Sequence, residues 1–178
     1  MKYFDELKRA MEWLGSKENT IFIGQAVEVP GTAMFNTLKD INSSKRIELP
    51  VFEETQLGMS IGMSLTGKKV ISIFPRWNFL LCSTNQLVNH LDKFSIMSSG
   101  EINPQIIIRT AVGSKRPLFP GHQHIGNMSS AFREMLSNIN IVELKEPEDI
   151  FPAYEKAFLS EDKRSSILVE FQDFYNEK

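Results

Sequence analysis

Glu53 stands where a short strand-like run, Arg46-Ile47-Glu48-Leu49, passes through Pro50 into a helix-like stretch that carries Gly58, Gly62 and Gly67. A carboxylate at a strand-to-helix turn lies at the edge of a sheet, where α/β proteins assemble ligand sites. The dipole of the following helix favours the anion and burial disfavours it, so a glutamate there can be poised to move a proton near neutral pH. The alternative is structural, because acids are common in first helical turns, and it applies to Glu53 and Glu54 alike. His122 and His124 lie in a stretch, 111–124, that has glycines and prolines and no period. A histidine presented by such a loop can move protons or donate to an oxyanion. Lys115 and Arg116 in the same loop would attract an anionic substrate or simply be solvated. His90 sits among Leu87, Leu91 and Phe94 and reads as a packing or partner-contact residue. No third ligand accompanies His122 and His124, so no metal site is expected in this chain.

The elements that must position these residues follow from periodicity. Phe4, Leu7, Met11 and Leu14 repeat at helical spacing. Residues 20–24 form a short apolar run ending in glycine, the pattern of a buried parallel strand. Pro30-Gly31 marks a turn before a short helix over 33–40. Further strands are expected at 47–49, 69–74, 105–109, 140–144 and 167–171. Helices are expected at 55–65, 78–98, 129–136 and 147–159, the last with Pro147 suited to its first turn. Strands alternating with helices predict the α/β class, a three-layer α/β/α arrangement with a mostly parallel sheet and right-handed crossovers. Glu53, segment 74–79 and loop 111–124 then fall on one edge, the carboxyl ends of the strands.

Composition is that of an ordinary globular domain, with 42% hydrophobic and 24% charged residues in 178. The chain reads as one domain, 1–178, without repeat, low-complexity segment or linker. A net charge of -2 and the lack of a basic run exclude an evident nucleic-acid or membrane-surface role. The single cysteine, Cys82, excludes an internal disulfide and suits a reducing, cytoplasmic setting. The N-terminal stretch mixes charges with apolar residues, unlike a signal peptide. No stretch approaches the ~18 apolar residues that span a bilayer.

Read in order, the chain carries P-x-x-E-x-x-x-x-G from Pro50, S-I-G-M-S-L-T-G-K-K-V from Ser60, N-F-L-L-C-S-T-N-Q-L-V-N-H-L-D-K from Asn78, M-S-S-G, I-I-I-R and G-H-Q-H. This order and spacing resembles the pyrimidine-binding domain of thiamine-diphosphate enzymes. It is most similar to the N-terminal half of the beta subunit of 2-oxo-acid dehydrogenase decarboxylases and more distantly to that domain of transketolase. The resemblance covers about residues 21–171. It implies thiamine diphosphate as cofactor, with Glu53 as the carboxylate that hydrogen-bonds the aminopyrimidine ring and promotes its imino form. Glu54 does not have the motif's spacing from Pro50 and Gly58. Phe79 would pack on the pyrimidine ring, and Leu57 would lie under it, unless both are ordinary core residues. The Gln123-His124 pair matches the family best, so His124 would face the substrate, with His122 able to do the same. Gln86 and Asn89 match the family's helix pattern or form a solvated or interface face.

The resemblance also implies a small-molecule substrate, a 2-oxo acid or a ketose, that is decarboxylated or gives up an aldehyde unit for transfer. Three departures qualify it. The acid of the family's G-E-[DE]-V-like motif is Gln25 here, in G-Q-A-V. Nothing reads G-D-G followed by an asparagine some thirty residues on, so neither a diphosphate-binding domain nor a C-terminal transketolase-type domain is expected. Diphosphate and Mg2+ would then be held by an alpha-type partner subunit, in a two-plus-two heterotetramer or with this chain as a homodimer. A non-catalytic regulatory or assembly subunit that keeps the fold is the alternative. A nucleotide-binding α/β domain would need a G-x-G-x-x-G or P-loop sequence, which the chain lacks.

Overall fold

The computed structural model describes residues 2–176, so Met1, Glu177 and Lys178, at the ends of the expected 1–178 domain, lie outside the described residues. Its centre is a sheet of six strands in the order β2-β1-β3-β4-β6-β5. The strands are β1 (Thr20–Gly24), β2 (Arg46–Glu48), β3 (Lys69–Ile73), β4 (Ile106–Val112), β5 (Asn140–Glu143) and β6 (Ser166–Phe171). All of their pairings are parallel, so the mostly parallel sheet expected from the alternating pattern is parallel throughout. Parallel neighbours require crossovers, and the chain supplies a helical one or a long connection each time. From β1 the order runs outward to β2, then returns past β1 to β3. That reversal makes the crevice between the carboxyl ends of β1 and β3 the topological switch point.

Alternation along the strands sends side chains into two cores. Phe22, Ile71, Ile73, Ile107 and Leu168 face one layer, with Leu7, Met11 and Leu14 of α1 (Tyr3–Gly15) and Ile150 and Tyr154 of α7 (Pro147–Leu159). Ile23, Val70, Ile106, Ile108, Ile167 and Val169 face the other, with Leu57 and Ile61 of α3 (Glu53–Leu65) and Phe132 of α6 (Ser129–Met135). Leu7, Met11 and Leu14 have no exposed surface. Burying each contributes about 1.5–3 kcal/mol, which is what holds an amphipathic helix such as α1 to the sheet.

Two predicted helices differ in the structure. Residues 33–40 form only a four-residue α2 (Ala33–Asn36), capped where the Phe35 N–H donates to Thr32 Oγ1 at 3.1 Å. Beyond it Leu38 N bonds Phe35 O, a tighter turn, because Thr37 is drawn inward to accept from Arg109 Nη1 at 2.8 Å. The helix expected over 78–98 has several pitches. It begins as α4 (Trp77–Leu80), tightens to a 3-10 turn at Leu81–Ser83, widens to a π-helix at Gln86–Leu91, and ends as α5 (Phe94–Met97). The π segment is anchored at both ends. Asn85 Nδ2 and Gln86 Nε2 donate to Glu54 Oε1 of α3, at 2.8 and 3.2 Å. Asp92, fully buried, accepts from the Ser137 and Asn138 N–H groups at 2.9 and 2.7 Å. A span fixed from outside at two points selects the helical pitch that fits it, whatever the apolar period.

In the α1 and α7 layer a charged pair is enclosed. Arg109 of β4 and Glu170 of β6 have no exposed surface, and the guanidinium donates to both carboxylate oxygens, at 2.5 and 3.1 Å. Tyr154 Oη donates to Glu170 Oε1 at 2.8 Å, and Tyr175 Oη donates to Oε2. Burial would lower the Arg109 proton affinity, but the facing Glu170 more than offsets this and holds the guanidinium above its ordinary value. Removing one member of such a pair leaves an uncompensated buried charge. Glu170→Gln should therefore lower the unfolding free energy by about 3–5 kcal/mol. Glu143→Gln, which breaks a partly exposed pair with Arg133, should cost about 0–1 kcal/mol. Urea denaturation of the two variants checks the contrast, and equal losses would show that Arg109 has found another partner.

Candidate functional site

The three segments singled out in the sequence do meet the carboxyl edge of the sheet. Glu53 is the first residue of α3, five residues beyond the end of β2. The turn that delivers it is tight, with Phe52 N donating to Pro50 O at 2.8 Å, and Gln56 N closing the first helical turn on Phe52 O. Glu53 is 7% exposed, and its carboxylate bonds no described residue. Glu54, the next residue, is exposed, and the hydrogen bonds from Asn85 and then Gln86 hold it below the usual carboxylate range. The two acids therefore have different surroundings. Glu54 ties two helical segments together, and Glu53 is enclosed without a partner.

Under this turn the switch point is built from backbone approaches that only glycine permits. A Cβ on Gly24, whose φ is +142°, would stand 2.2 Å from Ile73 O and 2.6 Å from Gln56 Nε2. Gln56 Nε2 instead donates to Ile73 O at 2.9 Å and to Ser72 Oγ at 3.2 Å, joining α3 to the end of β3. The loop after β1 is held by Glu48, the last residue of β2. Its carboxylate accepts from the N–H groups of Ala26, Val27 and Glu28 at 3.0, 2.6 and 2.7 Å. Ala26 sits at φ 59°, a left-handed conformation that costs a non-glycine residue about 1–2 kcal/mol, and these bonds maintain it.

Loop 113–126 folds back over the ends of β3 and β4. Phe79 and His124 meet there edge to face, with ring centroids 5.5 Å apart. His122 is exposed and packs against Phe119 at 5.2 Å, apart from that pair. Leu57 has no exposed surface and lies in the α3-side core. Along the same edge, buried polar atoms have no hydrogen-bond partner: Gln25 Nε2, Arg76 Nε, Asn78 Oδ1 and His124 Nδ1. Buried polar groups are normally paired, so these atoms at the carboxyl edge of a parallel sheet are open to a group from outside the chain. Among the described residues no group of three His, Cys, Asp or Glu side chains could hold a metal ion, and no helix is long and apolar enough to cross a membrane.

Nothing in the sequence singles out Glu48, Gln56 or Arg76. The carboxylate of Glu48 serves N–H groups about twenty residues away, and nothing local to it signals that role. Gly113 could have been read from the loop composition but not its reason, which is that a Cβ there would stand 2.0 Å from His124 O. Gly113→Ala must move the loop, so it should destabilise the protein by more than the ~1–2 kcal/mol of a purely conformational penalty. It should also shift the His124 ring resonances. Gly31→Ala, at φ +96° with open space around it, should cost only that penalty and leave His124 unmoved. Thermal unfolding and NMR of the histidines check this, and unmoved His124 signals in Gly113→Ala would show that the close approach does not hold the loop.

No family model matches the chain. The pyruvate dehydrogenase E1 component subunit beta of Gracilaria tenuistipitata var. liui is 27% identical over 180 residues, 98% of this chain and 54% of that protein. The protein of the same name from Porphyra purpurea is 28% identical over 149 residues, 81% of this chain and 44% of that one. The chain thus spans about half the length of the curated relatives it matches. Among solved structures, a split-gene transketolase described as an inactive beta4 tetramer superposes with TM-score 0.72 at 14% identity, over 94% of this chain and 50% of that one. A thiamin diphosphate-dependent enzyme, so described provisionally, from Mycobacterium smegmatis does so with TM-score 0.66 at 16% identity, over 97% of this chain and 31% of that one. In sequence the chain is similar to the beta subunit of pyruvate dehydrogenase E1, and its α/β fold is like that of half of a split-gene transketolase chain.

Proposed function

We propose that this chain is the pyrimidine-binding, beta-type part of a split thiamine-diphosphate enzyme that acts on a 2-oxo acid or a ketose, with Glu53 as the carboxylate that activates the cofactor's aminopyrimidine. The observation that carries the reading is the state of Glu53: enclosed, without a protein partner, and at the start of a 13-residue helix on the carboxyl edge of the sheet. A carboxylate kept in that state is available to a ring nitrogen. When bound, thiamine diphosphate supplies a carbon that attacks carbonyls and serves as an electron sink. Phe79 would flank the ring, and the unpartnered Nδ1 and edge-on packing of His124 suit it to hold a proton for the substrate. His122, exposed beside Phe119, would reach substrate only with movement of the loop.

Partner binding is supported by the rim of the same edge. Val29, Val51, Phe52, Leu118 and Phe119 are all exposed, on the loops that follow β1, β2 and β4. Such a group of apolar side chains on one side of a domain marks an interaction surface. An alpha-type subunit seated there would supply the diphosphate and Mg2+ ligands and close the site to water. The second reading, a non-catalytic subunit that keeps the fold, is favoured by Gln25, an amide whose Nε2 is buried and unbonded where the family carries an acid.

Calorimetric titration of thiamine diphosphate with Mg2+, on this chain alone and with an alpha-type subunit, tests the proposal. Binding is expected only with the partner. Glu53→Gln should leave assembly intact and reduce turnover by about 10²–10⁴-fold, the range for removing a proton-transfer group. Unchanged turnover in Glu53→Gln would establish the non-catalytic reading, and no binding in either setting would end the thiamine-diphosphate assignment.

A further inference from the structure

A cleft of about 520 Å³ opens at the switch point, on the α1 and α2 side of the sheet. It is lined by Ala26 after β1, by Pro75 and Arg76 after β3, by Arg116 and Pro117 of the loop after β4, and by α2. It lies on the same edge, but none of Glu53, Leu57, Phe79, His122 or His124 lines it. Its size falls within the range of small-molecule sites, and it occupies the crevice where open α/β sheets bind ligands.

The charges in it are one-sided. Arg76 is half-buried, its Nε is enclosed without a hydrogen-bond partner, and no carboxylate of the described residues pairs with it. Among the described residues no Asp or Glu lines the cleft, and Arg116 stands at its mouth. Asp173, next to Gln172 of the lining, uses Oδ1 to accept the Lys115 and Arg116 N–H groups at 2.6 and 3.2 Å. Burial holds the Arg76 guanidinium below its ordinary value, the direction expected of a cation that lacks a countercharge. Gly113 leaves the room that Arg76 needs, because a Cβ there would approach Nε to 3.0 Å. A half-enclosed guanidinium without an anion is costly, and its planar set of donors fits a carboxylate or phosphate through two parallel hydrogen bonds. Met34 and Tyr175 give the cleft apolar walls for the rest of a ligand.

We propose that this cleft binds a small organic anion, with Arg76 as the buried partner of its carboxylate or phosphate group and Arg116 as a second cation at the entrance. The site does not depend on thiamine diphosphate, so it stands or falls apart from the function proposed above.

Titration of the full chain with sodium phosphate and, separately, sodium acetate tests it, at ionic strength held constant with sodium chloride and read by calorimetry and by the shift in thermal midpoint. Saturable binding of at least one anion is expected. The tighter of the two assigns the group as phosphate or carboxylate. Arg76→Gln should weaken binding by about tenfold or more, the loss expected for a charged hydrogen bond. Arg76→Lys keeps the charge without the paired geometry and should also weaken it, while Arg116→Gln, in an exposed loop, should weaken it less without disturbing the fold. No saturable binding of either anion, or equal binding by the wild type and every folded variant, would overturn the assignment.

Discussion

An arginine with no solvent exposure in the middle of a sheet has to meet its countercharge inside the protein, and Arg109 meets Glu170 across the β4–β6 pair. The pair does not act alone. Thr37 reaches it from the turn after α2, Tyr154 from α7, and Tyr175 from the segment after β6. These groups come from sequence positions more than a hundred residues apart. Each can be satisfied only when β4, β6, α7 and the α2 turn all stand where they do. An apolar pair of similar volume would hold the layer as well or better, because desolvating two charges costs more than most ion pairs return. What the ionic pair adds is a penalty for every arrangement that separates its members. The α1 and α7 side of the core is thus specified by polar geometry as much as by apolar packing.

That constraint reaches the carboxyl edge through the backbone. Arg109 O accepts the Phe74 N–H at 2.9 Å, which places the end of β3 against β4 and sets the start of the segment carrying Arg76 and Phe79. From there on the edge is built by close approach. Gly24 and Gly113 let one strand end or loop lie against another's carbonyl, and the carboxylate of Glu48 holds the β1 loop through three N–H bonds. The same edge carries the enclosed carboxylate, the unbonded polar atoms and the exposed apolar rim. Below it the two cores are closed around apolar side chains and the Arg109–Glu170 pair. An enclosed carboxylate and unbonded polar atoms gathered on one edge are what a scaffold that presents a site shows.

The strands were legible because each is a short apolar run bounded by turn residues, a pattern that involves only neighbours in the chain. Their alternation with helices carried the α/β class and the placement of Glu53, segment 74–79 and loop 111–124 on one edge. Less was legible where distant bonds decide. An apolar period over 78–98 predicts one helix, and it cannot report that Glu54 and Asp92 clamp the segment at two points and widen the turn between them. The thirteen phenylalanines look alike in the sequence, and only Phe79 meets His124. The two neighbouring acids also look alike, and the fold encloses one while tying the other to Asn85 and Gln86.

Periodicity, turn residues and the spacing from Pro50 to Gly58 by themselves determined the elements, their order, the class of sheet and the turn on which Glu53 begins a helix. Those are properties of contiguous residues, encoded in side-chain size and backbone preference within a few positions. Tertiary structure alone decided the strand order with its switch point beside β1, the partner of Arg109 at a separation of 61 residues, the enclosure of Glu53, and the cleft around Arg76. Each of these depends on which distant groups become neighbours when the sheet closes, and no local stretch of the sequence carries that distance.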